Sequence, residues 1–394
     1  MNDPDRDESR RPAPAATADA RATHPPVSGT RRALIVLPVL LVLAAGAAWS
    51  GAWFWAAGRA SAEIDGWIAR EAGQGRNWSC GERTIGGFPF RFELICAQPR
   101  LVFAGADGWE VGAERAHAVA QVWAPNHIIA EFASPAAVTE VASGRRFEAR
   151  WSLLQTSAIG SGGRPDRVSV AADGLEIVEA GAAAAPPAPP LLVARHAEMH
   201  VRRVVAETRE AFDFAAGVHG ARSGSVALPA VGRPAPIRAG STAAKAGGDA
   251  GLPPPPLADL EIQARVTGVA DLHSMPVEER LRAWQAADGR LDLILAKITS
   301  GDAALTASGA LGLDPRGRLD GSVRLALAGG DRLLTQLAEQ GVLPPAVAAL
   351  GPTLLAAGTP TEIDGRKAVQ FPFAFRGGKI SLGFIPLGSI GPLY

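Results

Sequence analysis

The stretch from Ala33 to Gly58 constrains this chain more than any other feature of its sequence. Its 26 residues carry no charged side chain, whereas Arg31 and Arg32 precede it and Arg59 follows it. At 1.5 Å per residue, a helix of this length spans the roughly 30 Å hydrocarbon core of a bilayer with room to tilt. Three tryptophans lie toward its second end, where indole rings favour the membrane interface. The sequence therefore predicts one transmembrane helix over Ala33 to Gly58.

The charges on either side of this segment predict its orientation. The Arg31-Arg32 pair abuts the first end, whereas the acidic residues Glu63 and Asp65 lie beyond the second end. By the positive-inside rule, the N-terminus is cytoplasmic and residues 59–394 are extracytoplasmic. Residues 1–32 combine six arginines and five acidic residues with Pro, Ala and Thr, a composition that predicts a short disordered tail.

Two other interpretations of the N-terminal segment stay open. A cleaved signal peptide has a shorter apolar region, of about 7 to 15 residues, although Ala45-Gly46-Ala47 and Ala60-Ser61-Ala62 both fit its cleavage pattern. The Arg31-Arg32 pair also occurs in twin-arginine signals, but the residues around it fit that motif poorly. The length of the apolar segment favours an uncleaved anchor over both.

Net charge and cysteine content exclude several classes of protein. The chain has 39 basic and 39 acidic side chains, so it lacks the basic footprint of a nucleic-acid-binding protein. Two cysteines are too few for a zinc ribbon or an iron-sulfur protein. In an oxidising compartment, Cys80 and Cys96 are most simply a disulfide, and a pair of buried thiols is the alternative.

Alternating apolar residues predict strands over much of the outer part. Phe88, Phe90, Phe92 and Leu94 recur at period two, which is typical of a half-buried strand. Other strands are expected at Leu101 to Ala104, Ala116 to Trp123, Ile128 to Phe132, Phe147 to Leu154, Arg167 to Ala171, Leu175 to Glu179 and Leu192 to Val205. These segments predict an extracytoplasmic domain of mostly antiparallel sheet.

The clearest pattern lies between residues 305 and 327. Apolar side chains occupy the odd positions and polar ones most of the even positions, on either side of a turn at Asp314-Pro315-Arg316-Gly317. This pattern predicts an antiparallel hairpin with one apolar face.

Few helices and one insertion complete the predicted organisation. The helices are expected at Met275 to Ala287, Asp331 to Gln340 and Pro345 to Ala357. A segment at about 221–257, rich in Gly, Pro, Ala and Ser, predicts a flexible insertion. The fold class is therefore α+β and β-rich, with a transmembrane helix before the sheet domain.

Motifs spread along the outer part resemble those of one family. They are Trp78-x-Cys80, Gly87 to Phe92, Cys96, the turn from Gly312 to Gly317 and a closing segment from Leu382 to Leu393. Together with the anchor, they resemble the bacterial domain of unknown function 2125. The resemblance implies a cell-envelope protein of Gram-negative bacteria, held in the inner membrane with the bulk of the chain in the periplasm. It supplies no catalytic residues.

No catalytic or cofactor-binding pattern stands out. Neither a Gly-x-Ser-x-Gly elbow nor a phosphate-binding loop occurs. His196 and His200 flank Glu198, but the alternation around them indicates a strand, along which they stand about 13 Å apart, too far for one metal ion. We therefore expect no cofactor, no metal site and no nucleic-acid partner.

Two functions fit these observations. In the first, a membrane-anchored module holds a lipid or another amphiphile on the apolar face of a curved sheet, where Leu311, Leu313, Val323 and Leu325 line a groove. In the second, the protein is a non-catalytic envelope scaffold that binds a protein partner. An enzyme whose residues are not recognised is a third alternative. Alternation alone shows only that one sheet face is buried, so the sequence leaves these open.

Overall fold

The computed structural model describes most of the chain beyond the N-terminal tail. The described residues are 29–105, 108–161, 164–181, 190–204, 210–223, 257–269, 275–329, 353, 356 and 358–394. The chain divides into two units, residues 1–54 and 55–394. Residues 1–28 of the tail that the sequence predicts to be disordered lie outside the described residues.

One long helix, α1, runs from Gly29 to Gly73. It begins before the predicted segment and continues well past Gly58, because the residues that follow are mostly Ala, Glu, Ile and Arg, which are compatible with helix. By length and composition, the part from Val36 to Gly73 is long and apolar enough to cross a membrane. Most apolar side chains of its first half are exposed, with Leu41 at 61%, whereas Trp53 is buried at 5%.

The remainder is β-rich and antiparallel, as predicted. The first eleven strands are β1 (Arg76–Ser79), β2 (Glu82–Gly86), β3 (Arg91–Ala97), β4 (Arg100–Phe103), β5 (Trp109–Ala113), β6 (Arg115–Gln121), β7 (Ala124–Phe132), β8 (Ala136–Glu140), β9 (Arg146–Arg150), β10 (Leu153–Ser161) and β11 (Arg164–Ala180). The next three are β12 (Leu192–Val204), β13 (Ala211–Ser223) and β14 (Ala258–Thr267), followed by helix α2 (Val277–Ala286). The last seven are β15 (Arg290–Ser300), β16 (Ala303–Leu313), β17 (Leu319–Ala328), β18 (Thr359–Ile363), β19 (Arg366–Arg376), β20 (Lys379–Leu382) and β21 (Ile385–Ser389).

These strands form one meander in which neighbours along the chain pair with each other. The first ten are the halves of five long strands, each interrupted near its middle. One set of halves pairs in the order β2, β3, β6, β7, β10 and the other in the order β1, β4, β5, β8, β9. The 17-residue strand β11 pairs with both β10 and β9, which joins the two sets into one sheet.

From β11 onward the meander is uninterrupted. Each strand pairs with the next from β11 to β17, and β17 then pairs with β19. Strands β18 and β20 pair with different parts of β19, and β21 pairs with β20. Helix α2 sits in the connection from β14 to β15, where Nε1 of Trp284 donates a hydrogen bond of 2.8 Å to the carbonyl oxygen of Thr267.

A disulfide joins Cys80 and Cys96, as the sequence predicted. Their Cα atoms lie 5.5 Å apart, and the bond ties the bend between β1 and β2 to strand β3. Cys96 is one of the few buried side chains of the sheet, and the disulfide fixes the β1–β2 bend to strand β3 at this position.

Some predicted boundaries are wrong. Phe88 and Phe90 lie in the turn before β3, so the alternation that suggested a strand there begins in practice at Arg91. The insertion predicted at about 221–257 overlaps the end of β13, which continues to Ser223 because it pairs with β12. Most of that insertion, and most of the helices predicted between Asp331 and Ala357, fall outside the described residues.

Candidate functional site

The candidate site is one face of the sheet, here called the apolar face. Residues paired across neighbouring strands project to the same side of a sheet, so the register defines which side chains share a face. One row of paired residues crosses thirteen strands, from β3 to β20. Its members are Phe92, Ala120, Ile128, Ala158, Val168, Val201, Phe214, Ala264, Leu293, Gly309, Val323, Phe373 and Leu382. Every one of them is apolar or glycine.

A second row lies two residues away on the same face, or three in β15, where the register shifts, and also crosses thirteen strands. Its members are Ile85, Leu94, Ala118, Ala130, Thr156, Val170, Met199, Ala216, Ile262, Ala296, Ala307, Leu325 and Phe371. Thr156 is its single polar member. The two rows define an apolar surface that is continuous across the sheet. At about 4.8 Å between strands, each row is roughly 58 Å long, about twice the thickness of a bilayer core.

The opposite face, here called the polar face, differs sharply in chemistry. The row one residue along from the first apolar row consists of His127, Ile159, Arg167, Arg202, Asp213, Arg265, Asp292, Ala310, Ser322, Ala374 and Ser381. Six of these eleven side chains are charged or histidine, and none lies on the apolar face. The sheet is therefore amphipathic over most of its width.

Most side chains of the apolar face are only half-buried. In its first row Ala264 is buried, Ile128 is 45% exposed and the other members are half-buried. Within the described part of the chain, nine of the twelve buried apolar residues are alanines, and no large side chain is fully buried. A sealed core of large side chains is thus not built by the described residues. A contiguous apolar surface that is left partly exposed is typical of interaction sites.

The four residues predicted to line a groove all lie on the apolar face. Val323 belongs to its first row and Leu325 to its second, while Leu311 and Leu313 pair with Gly321 and Leu319 of β17. All four predicted residues are half-buried. They form part of a broad surface, and their role in binding stays a prediction.

Ion pairs organise the polar face. Asp213 accepts hydrogen bonds from Arg202 at 2.6 Å and from Arg265 at 2.7 Å. These two guanidinium groups, Arg265 foremost, hold the pKa of the Asp213 carboxyl below its usual range. The cluster ties β12, β13 and β14 together on the side of the sheet that faces away from the apolar rows.

The histidines of β12 also lie on the polar face. His196 bonds Asp173 at 2.6 Å, and this hydrogen bond raises the pKa of the imidazole above its usual value. His200 contacts Glu198 at 3.2 Å. Both histidines lie in strand β12, and Glu198 between them is also 3.7 Å from His196. The described residues hold no group of three His, Cys, Asp or Glu side chains placed to bind a metal.

One depression also opens on the polar face. It has a volume of about 430 Å³ and is bordered by Arg167, His200, Arg202, Asp213 and Gln263, among others. Its charged lining consists of Arg167 and Arg202 against Asp213, and Arg202 pairs with Asp213 at 2.6 Å.

Sequence reasoning missed the middle of the apolar face, which β13, β14 and β15 supply. The alternating pair Phe212 and Phe214 in β13 and the run from Leu260 to Val266 in β14 carry the same period-two signal as the strands that were recognised. The Gly- and Pro-rich stretch between these strands drew the interpretation toward a loop.

Comparison with known proteins identifies relatives at the level of the family. The family model described as an uncharacterized protein conserved in bacteria, DUF2125, matches residues 53–391. No curated protein matches the chain. No solved structure matches it either.

Proposed function

The chain belongs to the bacterial family DUF2125, and on that premise we propose that it is a single-pass inner-membrane protein whose periplasmic sheet holds a lipid or a similar amphiphile on its apolar face. The observation that carries the proposal is the pair of apolar rows, each crossing thirteen strands, whose members are mostly half-buried.

Contact with an acyl chain is energetically more favourable for an elongated apolar surface than contact with water. Burying apolar area stabilises by roughly 25 cal/mol per Å², so each methylene that lies on the apolar face contributes about 0.8 kcal/mol. Neighbouring strands twist relative to one another, so an open sheet of this width is expected to coil, and a coiled apolar face could partly surround an acyl chain. A polar headgroup would lie toward the rim or the water.

The membrane helix supplies the reason for a lipid rather than another apolar ligand. Helix α1 passes from the apolar segment into the residues that lead to β1, with two residues between Gly73 and Arg76. The sheet is thereby tethered beside a reservoir of lipid. The alternative function, a scaffold that binds a protein partner, would use the same apolar face and is one outcome of the test below.

Photo-crosslinking in cells tests the proposal on adjacent residues of β17. A benzophenone amino acid replaces Leu325 on the apolar face or, as a matched control, Arg324, which is exposed on the polar face. We expect adducts with the mass of a lipid at position 325 and not at position 324. Adducts with a protein at position 325 would favour the scaffold, and an absence of adducts there would contradict both functions.

The orientation is tested separately. A reporter that is active only outside the cytoplasm, fused after Tyr394, should be active, and the protein should stay with membranes after an alkaline wash. Release of a soluble periplasmic form with a new N-terminus near Glu63 would replace the anchor by a cleaved signal.

A further inference from the structure

Helix α1 runs antiparallel to the first long strand, and this direction identifies one end of the sheet. Trp67 packs against Trp78 of β1 with tilted rings, whose centroids lie 5.5 Å apart. Farther toward the helix N-terminus, Asp65 forms an ion pair of 2.8 Å with Arg83 of β2, and Ser61 accepts a hydrogen bond of 3.1 Å from the same guanidinium. Residue numbers fall along the helix as they rise along the strand.

The turn after β2 therefore lies toward the helix end that leads to the apolar segment. From Arg83 to Phe88 the chain advances roughly 16 Å in extended form. The helix from Ser61 back to Trp55 rises only about 9 Å. The turn from Gly87 to Phe90 thus extends at least as far along the helix as Trp55.

This end of the sheet carries exposed aromatic side chains. Trp55 is 74% exposed, Phe88 49% and Phe90 59%. In the adjacent turn, between β6 and β7, Trp123 is 71% exposed. A hydrogen bond of 3.1 Å from the Val122 backbone N–H to the Phe90 carbonyl holds the two turns side by side.

We infer that the β2–β3 and β6–β7 turns insert into the interfacial region of the bilayer that α1 crosses. Aromatic side chains, Trp above all, favour the depth of the lipid headgroups, where an apolar ring and a polar edge can both be accommodated. The exposed side chains of Phe88, Phe90 and Trp123 in these two turns would otherwise remain in water. The insertion would place the first strands of the apolar face in contact with the lipid surface, which gives an amphiphile a route onto it.

The inference rests on the membrane span of the proposed function, but not on lipid binding by the apolar face. Both natural cysteines are joined in the disulfide, so a single added cysteine is the thiol that a maleimide fluorophore labels. The full chain is labelled at one of four positions, through Phe90→Cys, Trp123→Cys, Val141→Cys or Leu41→Cys. Val141 is the matched control, because it is 53% exposed and lies just after β8, at the opposite end of the sheet. Leu41 reports on the membrane position of α1.

Each labelled chain is reconstituted into phosphatidylcholine and phosphatidylglycerol vesicles with and without nitroxide-labelled lipid. We expect the nitroxide to reduce the fluorescence at positions 41, 90 and 123 and to leave that at position 141 unchanged. Quenching at position 41 alone would overturn the inference and leave the anchor intact. Quenching at all four positions would overturn the end-on contact, and an unquenched label at position 41 would refute the membrane span itself.

Discussion

Asp314 orders the turn between β16 and β17 through four hydrogen bonds. Its Oδ1 accepts from the backbone N–H groups of Arg316 at 2.9 Å and Arg318 at 3.0 Å, and its Oδ2 accepts from Nε and Nη2 of Arg318 at 2.8 and 2.6 Å. These donors, the Arg318 side chain foremost, lower the pKa of Asp314 to about 2. The sequence predicted the turn, but not that Arg318 folds back onto it, because that contact depends on the backbone the turn adopts.

Replacing Asp314 by Asn should destabilise the domain in a pH-dependent way. A carboxylate with a lowered pKa stabilises the fold above its unfolded pKa of about 4, and this contribution is lost as the pH falls through about 2. Thermal unfolding should show Asp314→Asn less stable than the wild type at pH 7, with the difference shrinking toward pH 2. Asp320→Asn, in exposed β17 sequence, is the control, and an equal loss at both pH values would contradict the account.

The pair of His196 and Asp173 has the opposite pH dependence. Because the hydrogen bond to Asp173 raises the pKa of His196, its stabilisation is full below the unfolded pKa of about 6.5 and is lost as the pH rises through the folded value. Asp173→Asn should therefore lower the pKa of His196 in an NMR titration and reduce stability more at pH 5.5 than at pH 9. An unchanged titration of His196 would show that the 2.6 Å contact does not persist in solution.

At the scale of elements, the accuracy of a predicted strand depended on whether its alternation of apolar residues ended where the backbone pairing ends. The hairpin of β16 and β17 was predicted in position and in face, because its alternation surrounds a strong turn signal. The start of β3 was wrong because Phe88 and Phe90 continue the alternation into a turn, where period two has no structural meaning. Side-chain periodicity does not report where backbone pairing ends.

The disulfide acts on the elements at the sheet edge. It closes a loop of 16 residues between the β1–β2 bend and β3, and the chain-entropy model credits such a loop with about 3 kcal/mol. The double variant Cys80→Ser and Cys96→Ser should lose about that much free energy of unfolding in denaturant titration. Reduction of the wild type should reproduce the loss. Alkylation of both thiols in native, unreduced protein would contradict the disulfide.

At the scale of the whole molecule, the continuous apolar face depends on register. The sequence indicated individual amphipathic strands but not the pairing that aligns Val168 with Val201, Phe214 and onward to Leu382. A shift of one residue at any strand would move that strand's apolar side chains to the other face. The register between neighbouring strands therefore turns alternation into a continuous surface, and the alternation within a single segment does not specify that register.

The central claim is that this surface binds lipid, and the amount of lipid bound per chain tests it most directly. The full chain and two variants in neighbouring positions of β17 are purified in the same detergent, and lipid is extracted and quantified by mass spectrometry. Val323→Asp places a charge on the apolar face, whereas Ser322→Asp places one on the exposed polar face.

We expect the wild type and Ser322→Asp to carry equal lipid and Val323→Asp to carry less, with all three folded by circular dichroism, because Val323 is reachable by water. Equal lipid in all three proteins would contradict lipid binding by the apolar face. Unfolding of Val323→Asp alone would show that the face is a sealed core, in which an unpaired charge cannot be accommodated.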